Sequence, residues 1–265
     1  MCWSGEASAL LAAVGFSTTA YAAVRKEPAA LWAPLGYFSV MEALQAYTYV
    51  VINDCGSPAN QIATLLGYLH IIFQPFFGNA LFLYFVPREI RERVQVPVYG
   101  LCFLSAIYML IQLYPFDWAG TCNLRGTLCA TRLCSVSGNW HIAWEIPFNG
   151  IGNWSMDIPL VGTSFLTYGL VMFVLPLLYG SWRVSLYHFI LGPTLARLTT
   201  DNKNEWPAIW CLLSIGFLII AVNPPVRRWL FVRRWPLWPK MLYPVRSAQE
   251  APSVDRVRSR PALGE

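Results

Sequence analysis

The sequence predicts an all-α fold, a polytopic membrane helix bundle of about seven transmembrane helices with the N-terminus outside and the C-terminus inside. Three observations predict it. The chain is 56% hydrophobic and only 12% charged, whereas soluble domains approach a quarter charged. Its apolar residues fall in blocks of about 17–25, the length that crosses a ~30 Å hydrocarbon core. Its basic residues are also distributed asymmetrically. The breaks on one side, with the tail, hold Arg25, Lys26, Arg88, Arg91, Arg93, Arg183 and nine more from Arg227 onward, fifteen of nineteen, while Arg125, Arg132, Arg197 and Lys203 fall on the other. The positive-inside rule then puts the C-terminus in the cytoplasm and, with an odd number of spans, the N-terminus outside.

The expected spans run roughly over 5–24, 30–52, 62–86, 97–115, 160–180, 182–199 and 206–223. The first stretch follows no basic leader and precedes Arg25-Lys26, so it reads as a retained span and not a signal peptide. The sixth is short and carries Arg183, His188, Arg197 and a Gly192-Pro193 kink, and a re-entrant segment is the alternative there. Residues 1–225 form the transmembrane domain. Its long outer connection, 116–159, is rich in Cys and Trp, and its aromatic content suits a lid or an interfacial helix. Residues 226–245 read as a basic interfacial segment, with Arg227-Arg228-Trp229 and Arg233-Arg234-Trp235 at headgroup depth. Residues 246–265 read as a disordered cytoplasmic tail. The net charge of +5 is a topology signal in such a chain. It points to membrane lipids as partners and not to nucleic acid.

Five of seven cysteines, Cys2, Cys55, Cys122, Cys129 and Cys134, map to the expected outer face, and Cys102 and Cys211 lie inside spans. Cys-x6-Cys-x4-Cys lacks the short pairing of structural zinc sites, so disulfides are expected, with Cys55 tied to the long loop and Cys2 as the odd one out. Connectivity stays open.

The candidate chemistry rests on few residues. The three histidines are His70, His141 and His188. His141 and Glu145, on a helix, would share one face. Glu42 lies within the second span, where an ionisable group is costly. His70, His141 and His188 with Glu42 or Glu145 would suit a divalent transition metal, zinc above all, with a carboxylate taking a proton from metal-bound water. Gln74, Asn79 and Asp157 are candidate supporting groups. Haem between His70 and His188 is a further possibility. No lysine lies in a span, and no Walker, dinucleotide or nucleophile-elbow motif is present.

Four stretches carry a resemblance: Met1-Cys2-Trp3-Ser4, Tyr68-Leu69-His70-Ile71 with Phe73-Gln74-Pro75, Trp140-His141-Ile142-Ala143-Trp144, and Glu205-Trp206-Pro207-Ala208-Ile209-Trp210-Cys211. Through them, residues 1–225 resemble a bacterial multi-pass membrane family of unknown function, which implies a fold and a bacterial inner (cell) membrane but no activity. Three functions remain in play. They are a metal-dependent hydrolase of a lipid or amphipathic substrate, a transporter or small-molecule sensor using Glu42 and His70, and a structural membrane subunit.

Overall fold

The structure, a computed structural model, describes residues 3–154, 165–214 and 216–238. Four long helices come first: α1 (Gly5–Val24), α2 (Ala29–Val51), α3 (Pro58–Tyr84) and α4 (Arg88–Ile111). Ser4 caps α1 by accepting from the Ala7 N–H, and Ser57 caps α3 ahead of Pro58 by accepting from Ala59. Serine there satisfies N–H groups that the first turn leaves unpaired, and proline at the first helical position loses no bond. Helix α1 packs on α2 through small residues. A Cβ on Gly15 would fall 2.1 Å from Ser39 Oγ, and one on Gly36 would fall 3.1 Å from Thr19 Cγ2. Such close approach drives helix association where lipid removes the hydrophobic contrast.

The second half is broken into shorter pieces. Helices α5 (Leu166–Gly169) and α6 (Leu175–Leu178) flank a π-helical turn, Leu170–Val174. Helices α7 (Trp182–Phe189) and α8 (Leu195–Thr199) flank a second, Ile190–Thr194. Helices α9 (Trp206–Leu213), α10 (Gly216–Val222) and α11 (Pro224–Leu230) are the last among the described residues. The first two rods carry an internal proline, Pro176 and Pro193. Proline removes a backbone donor and crowds the preceding turn, and the wider π turn is one way of absorbing that.

The described chain is therefore mostly helical, and α1, α3 and α4 are long and apolar enough to cross a membrane. A purely α fold is corrected in one place. The outer connection holds an antiparallel hairpin of β1 (Cys134–Ser137) and β2 (Ile142–Glu145), in register Cys134↔Glu145 to Ser137↔Ile142. Ser137-Gly138-Asn139 is a turn signal between two short runs rich in β-formers, and the lid-helix expectation gave aromatic content more weight than that turn.

The hairpin is sewn to one end of the bundle. A disulfide joins Cys55 to Cys134, and a second joins Cys122 to Cys129. Asn60, 0% exposed, donates to Val51 O and Ser135 O and accepts from Ser135 N–H. Trp144 packs over Gly67, where a Cβ would lie 3.1 Å from its ring. Its N–H donates to Asn204 O, which binds the hairpin to the approach to α9. The opposite end carries ten of the fourteen basic residues among those described. There Arg227 of α11 grips Glu27, between α1 and α2, at 2.7 and 3.2 Å. Val232 N–H donates to Phe85 O. Trp238 donates to Tyr179 O across Gly180, whose φ of +95° and lack of a Cβ admit the indole. The expected tail, 246–265, and Asp157 lie outside the described residues.

Candidate functional site

The residues picked from the sequence separate into four places. His141 and Glu145 lie in the hairpin roof. Since β2 is extended, four residues span about 13 Å, and the pair cannot hold one cation as a helical face would. Glu145 instead pairs with Arg132 at 2.6 Å near the surface. His141 is fully buried, its ring 6.1 Å from Trp3 and 5.7 Å from Tyr49. Its Nδ1 accepts from the Ile142 N–H at 2.7 Å, which places the ring proton on Nε2. Burial in these aromatic surroundings lowers its pKa from 6.5 to about 3.

The group that organises this roof is Glu205. Its carboxylate accepts from three successive backbone N–H groups, Asn139 at 2.7 Å, Trp140 at 2.8 Å and His141 at 2.9 Å. Three such donors form an anion-binding nest. Gly138 is required beside it, because a Cβ there would fall 2.3 Å from the Glu205 carboxyl carbon. Glu205 directly precedes the last expected span, and nothing local in the sequence marks it as a clip over 65 residues of chain.

His188 lies deep in the bundle. Its Nε2 accepts from Trp210 Nε1 at 2.6 Å, leaving the proton on Nδ1, which has no partner. A Cβ on Gly192 would fall 2.4 Å from that indole nitrogen, so the second π turn and its glycine make room for the pair. Rings of Phe38, Phe82, Phe173 and Phe217 close around the imidazole at centroid distances of 4.8–6.4 Å. A space of about 10 Å³ remains beside it, near the size of one water. Haem does not fit there. Across the same rods, Tyr168 donates to Gln74 Oε1 at 2.8 Å, and Gln74 Nε2, unpartnered, borders a second space of about 30 Å³ under Thr127.

His70 and Glu42 occupy two different faces of the α2–α3 pair. The His70 ring stacks on Tyr37 at 3.9 Å, and its Nε2 has no hydrogen-bond partner. Glu42, 6% exposed, has neither carboxyl oxygen hydrogen-bonded. The Ser8 hydroxyl of α1 lies at the limit of hydrogen-bonding distance from it. One turn on, Gln45 donates to Ala208 O of α9. Glu42 thus sits in a polar seam between α1, α2 and α9, and it does not pair with His70.

One metal shared by the three histidines is therefore not formed. His141 touches Tyr49 and His70 touches Tyr37, twelve residues apart on α2 or about 18 Å along its axis. Zinc bonds are ~2 Å long. Among the described residues no three His, Cys, Asp or Glu side chains group as metal ligands. Asn79, a candidate supporting group, instead donates to Pro75 O and Val171 O and accepts from the Tyr179 hydroxyl.

No curated protein and no solved structure matches the chain. One family model matches it from residue 6 to residue 231, almost the whole of the described fold. The chain belongs to that family, a family of unknown function (DUF5765).

Proposed function

We propose that this chain is a seven-span protein of a bacterial inner membrane, N-terminus outside, that works as a transporter or small-molecule sensor through Glu42. The observation that carries the reading is a buried carboxyl with no hydrogen bond to either oxygen. An unpaired carboxylate cannot stay charged in such surroundings. A proton, a cation or a donor on a ligand must neutralise it. Ionisable groups placed this way in membrane helices mark proton and substrate paths. Gln45 Oε1, also unpartnered, lies one turn away and offers a second polar contact.

The orientation rests on two features at opposite ends of the bundle. The disulfides gather at the hairpin end, which suits an oxidising compartment, and ten of the fourteen basic residues among those described gather at the other. Lipids are the expected surroundings of the exposed apolar helix faces. The zinc-hydrolase reading lacks a convergent ligand set among the described residues.

An apolar carbodiimide tests the Glu42 reading, since it enters membranes and reacts only with a protonated carboxyl. Glu42 should be the labelled residue in purified protein, and labelling should vanish in Glu42→Gln. In proteoliposomes, Glu42→Gln should abolish proton uptake or release driven by a pH jump. An unreactive Glu42 together with unchanged proton exchange in Glu42→Gln would remove the proposal.

A further inference from the structure

Taking Glu42 as the titrating group proposed above, we infer that Trp3 and Ser8 are positioning residues that tie its protonation to the seating of the N-terminus on the roof. Thr18, Thr19, Ser39, Thr48 and Thr64 each return their hydroxyl proton to the carbonyl four residues back, the common arrangement for such a group inside a helix. Ser8 does not. It is fully buried, and its oxygen accepts from the Trp3 indole N–H at 2.9 Å. That bond occupies one lone pair and leaves the hydroxyl proton to be donated elsewhere. Across the α1–α2 contact Gly5 opposes Tyr49 and Gly15 opposes Ser39, so Ser8 falls opposite the turn that carries Glu42. Its hydroxyl stands at the limit of hydrogen-bonding distance from that carboxyl.

The chain has a direction. An indole nitrogen only donates, so its bond polarises the Ser8 hydroxyl toward Glu42. A neutral carboxyl accepts weakly, in keeping with a contact at the limit. An ionised one takes a charge-assisted bond, roughly twice as strong and about 2.5–2.7 Å long, and donors of this kind favour the charged form. A seated Trp3 therefore favours ionised Glu42. The seat itself belongs to the roof. Trp3 N–H donates to Trp140 O at 3.1 Å, and its ring lies 6.0 Å from that of Trp140 and 6.1 Å from that of His141. Glu205 holds the backbone of both. By linkage, loss of the seat moves Glu42 toward its proton, and a proton on Glu42 loosens the seat. The other titratable groups around Glu42 are the Cys211 thiol of α9, the Tyr49 phenol two turns along α2 and Glu6, exposed in the first turn of α1. Helix α10, which also packs on α1 and α2, has none in its sequence, and α3 carries His70 on the other face. None of these is a cation that could replace the donor chain.

The test follows labelling of Glu42 by the apolar carbodiimide against pH, with full-length protein in phospholipid nanodiscs and mass spectrometry as readout. Trp3→Phe keeps a ring on the roof and removes the donor, and Ser8→Ala removes the link to Glu42. Each should move the labelling midpoint upward by about one pH unit, a tenfold gain in proton affinity and the order of one hydrogen bond to a charged group. Thr18→Ala, which removes a back-bonded hydroxyl from the same helix, should leave the midpoint where it is. Hydroxyl-radical footprinting reads the coupling in reverse. Above the wild-type midpoint, Trp3 should be oxidised several-fold faster in Glu42→Gln than in the wild type. Unchanged midpoints in both Trp3→Phe and Ser8→Ala, with Glu42 still labelled, would overturn the inference and leave the role of Glu42 standing. So would a shift in Thr18→Ala as large as that in Ser8→Ala, or equal oxidation of Trp3 in Glu42→Gln and wild type. A Glu42 that is labelled at no pH would remove both.

Discussion

Glu205 and Glu42 are both glutamates with almost no exposed surface, and the structure treats them in opposite ways. Glu205 spends its carboxylate on three backbone N–H groups of the 138–141 turn. Glu42 has no backbone donor and no charged partner, only the Ser8 hydroxyl at the limit of hydrogen-bonding distance. The same contrast runs through their surroundings. The roof is sewn by two disulfides, Asn60, Asn204 and Asn149, whose Nδ2 donates to Ile111 O and Tyr114 O. The interior leaves His70 Nε2, Gln74 Nε2 and His188 Nδ1 without partners, and the roof leaves fewer, His141 Nε2 and Thr127 Oγ1. A buried polar group with all its bonds made holds structure together. One with none is a cost that folding alone does not explain, and that difference, more than residue type, separates clip from site.

The largest expected effect breaks the clip. Glu205→Ala leaves three N–H groups without an acceptor and should destabilise the protein by about 3–5 kcal/mol. Chemical unfolding in detergent measures this, and a loss under about 1 kcal/mol would show that the roof does not depend on the nest.

Acid should weaken the roof next. His141 is neutral when folded because burial holds its pKa near 3, while the unfolded chain protonates near 6.5. Protons therefore favour the unfolded state between those values. Its contribution is full above pH 6.5 and is lost as pH falls toward 3, with about 2 kcal/mol gone at pH 5. Unfolding free energies across pH 7 to 4 should show this slope, and His141→Gln should flatten it. Equal slopes in the two proteins would contradict the assignment.

Glu42→Gln should move stability by no more than about 1 kcal/mol, because a neutral isostere replaces a carboxyl that has no hydrogen bond to lose. A Glu42 whose replacement unfolds the bundle would belong with Glu205, and the comparison would fail. The smallest effect is expected at Glu145→Gln. Its pair with Arg132 lies near the surface, where such pairs contribute about 0–1 kcal/mol.

The first four helices were legible because each carries its own signal. Apolar blocks of membrane length and the basic residues that flank them are local properties that need no partner to be read. The disulfide-bearing loop was legible for the same reason, as was its attachment to Cys55. The hairpin was half legible, since Gly138-Asn139 marks a turn. The π turns were not, although Pro176 and Gly192-Pro193 signal irregularity.

What tertiary structure alone decided is who meets whom. Twelve residues of α2 separate the neighbour of His141 from the neighbour of His70, and no count of residues along separate helices gives the rotation that turns Glu42 toward α1 and α9 and His70 toward Tyr37. Histidine and glutamate are few in this chain, and their scarcity drew them into one imagined cluster. Helix rotation is set by packing, by Gly15 against Ser39 and Gly67 against Trp144. That packing brought Glu205 to the turn beside His141 and left Glu42 and His70 each facing its own space.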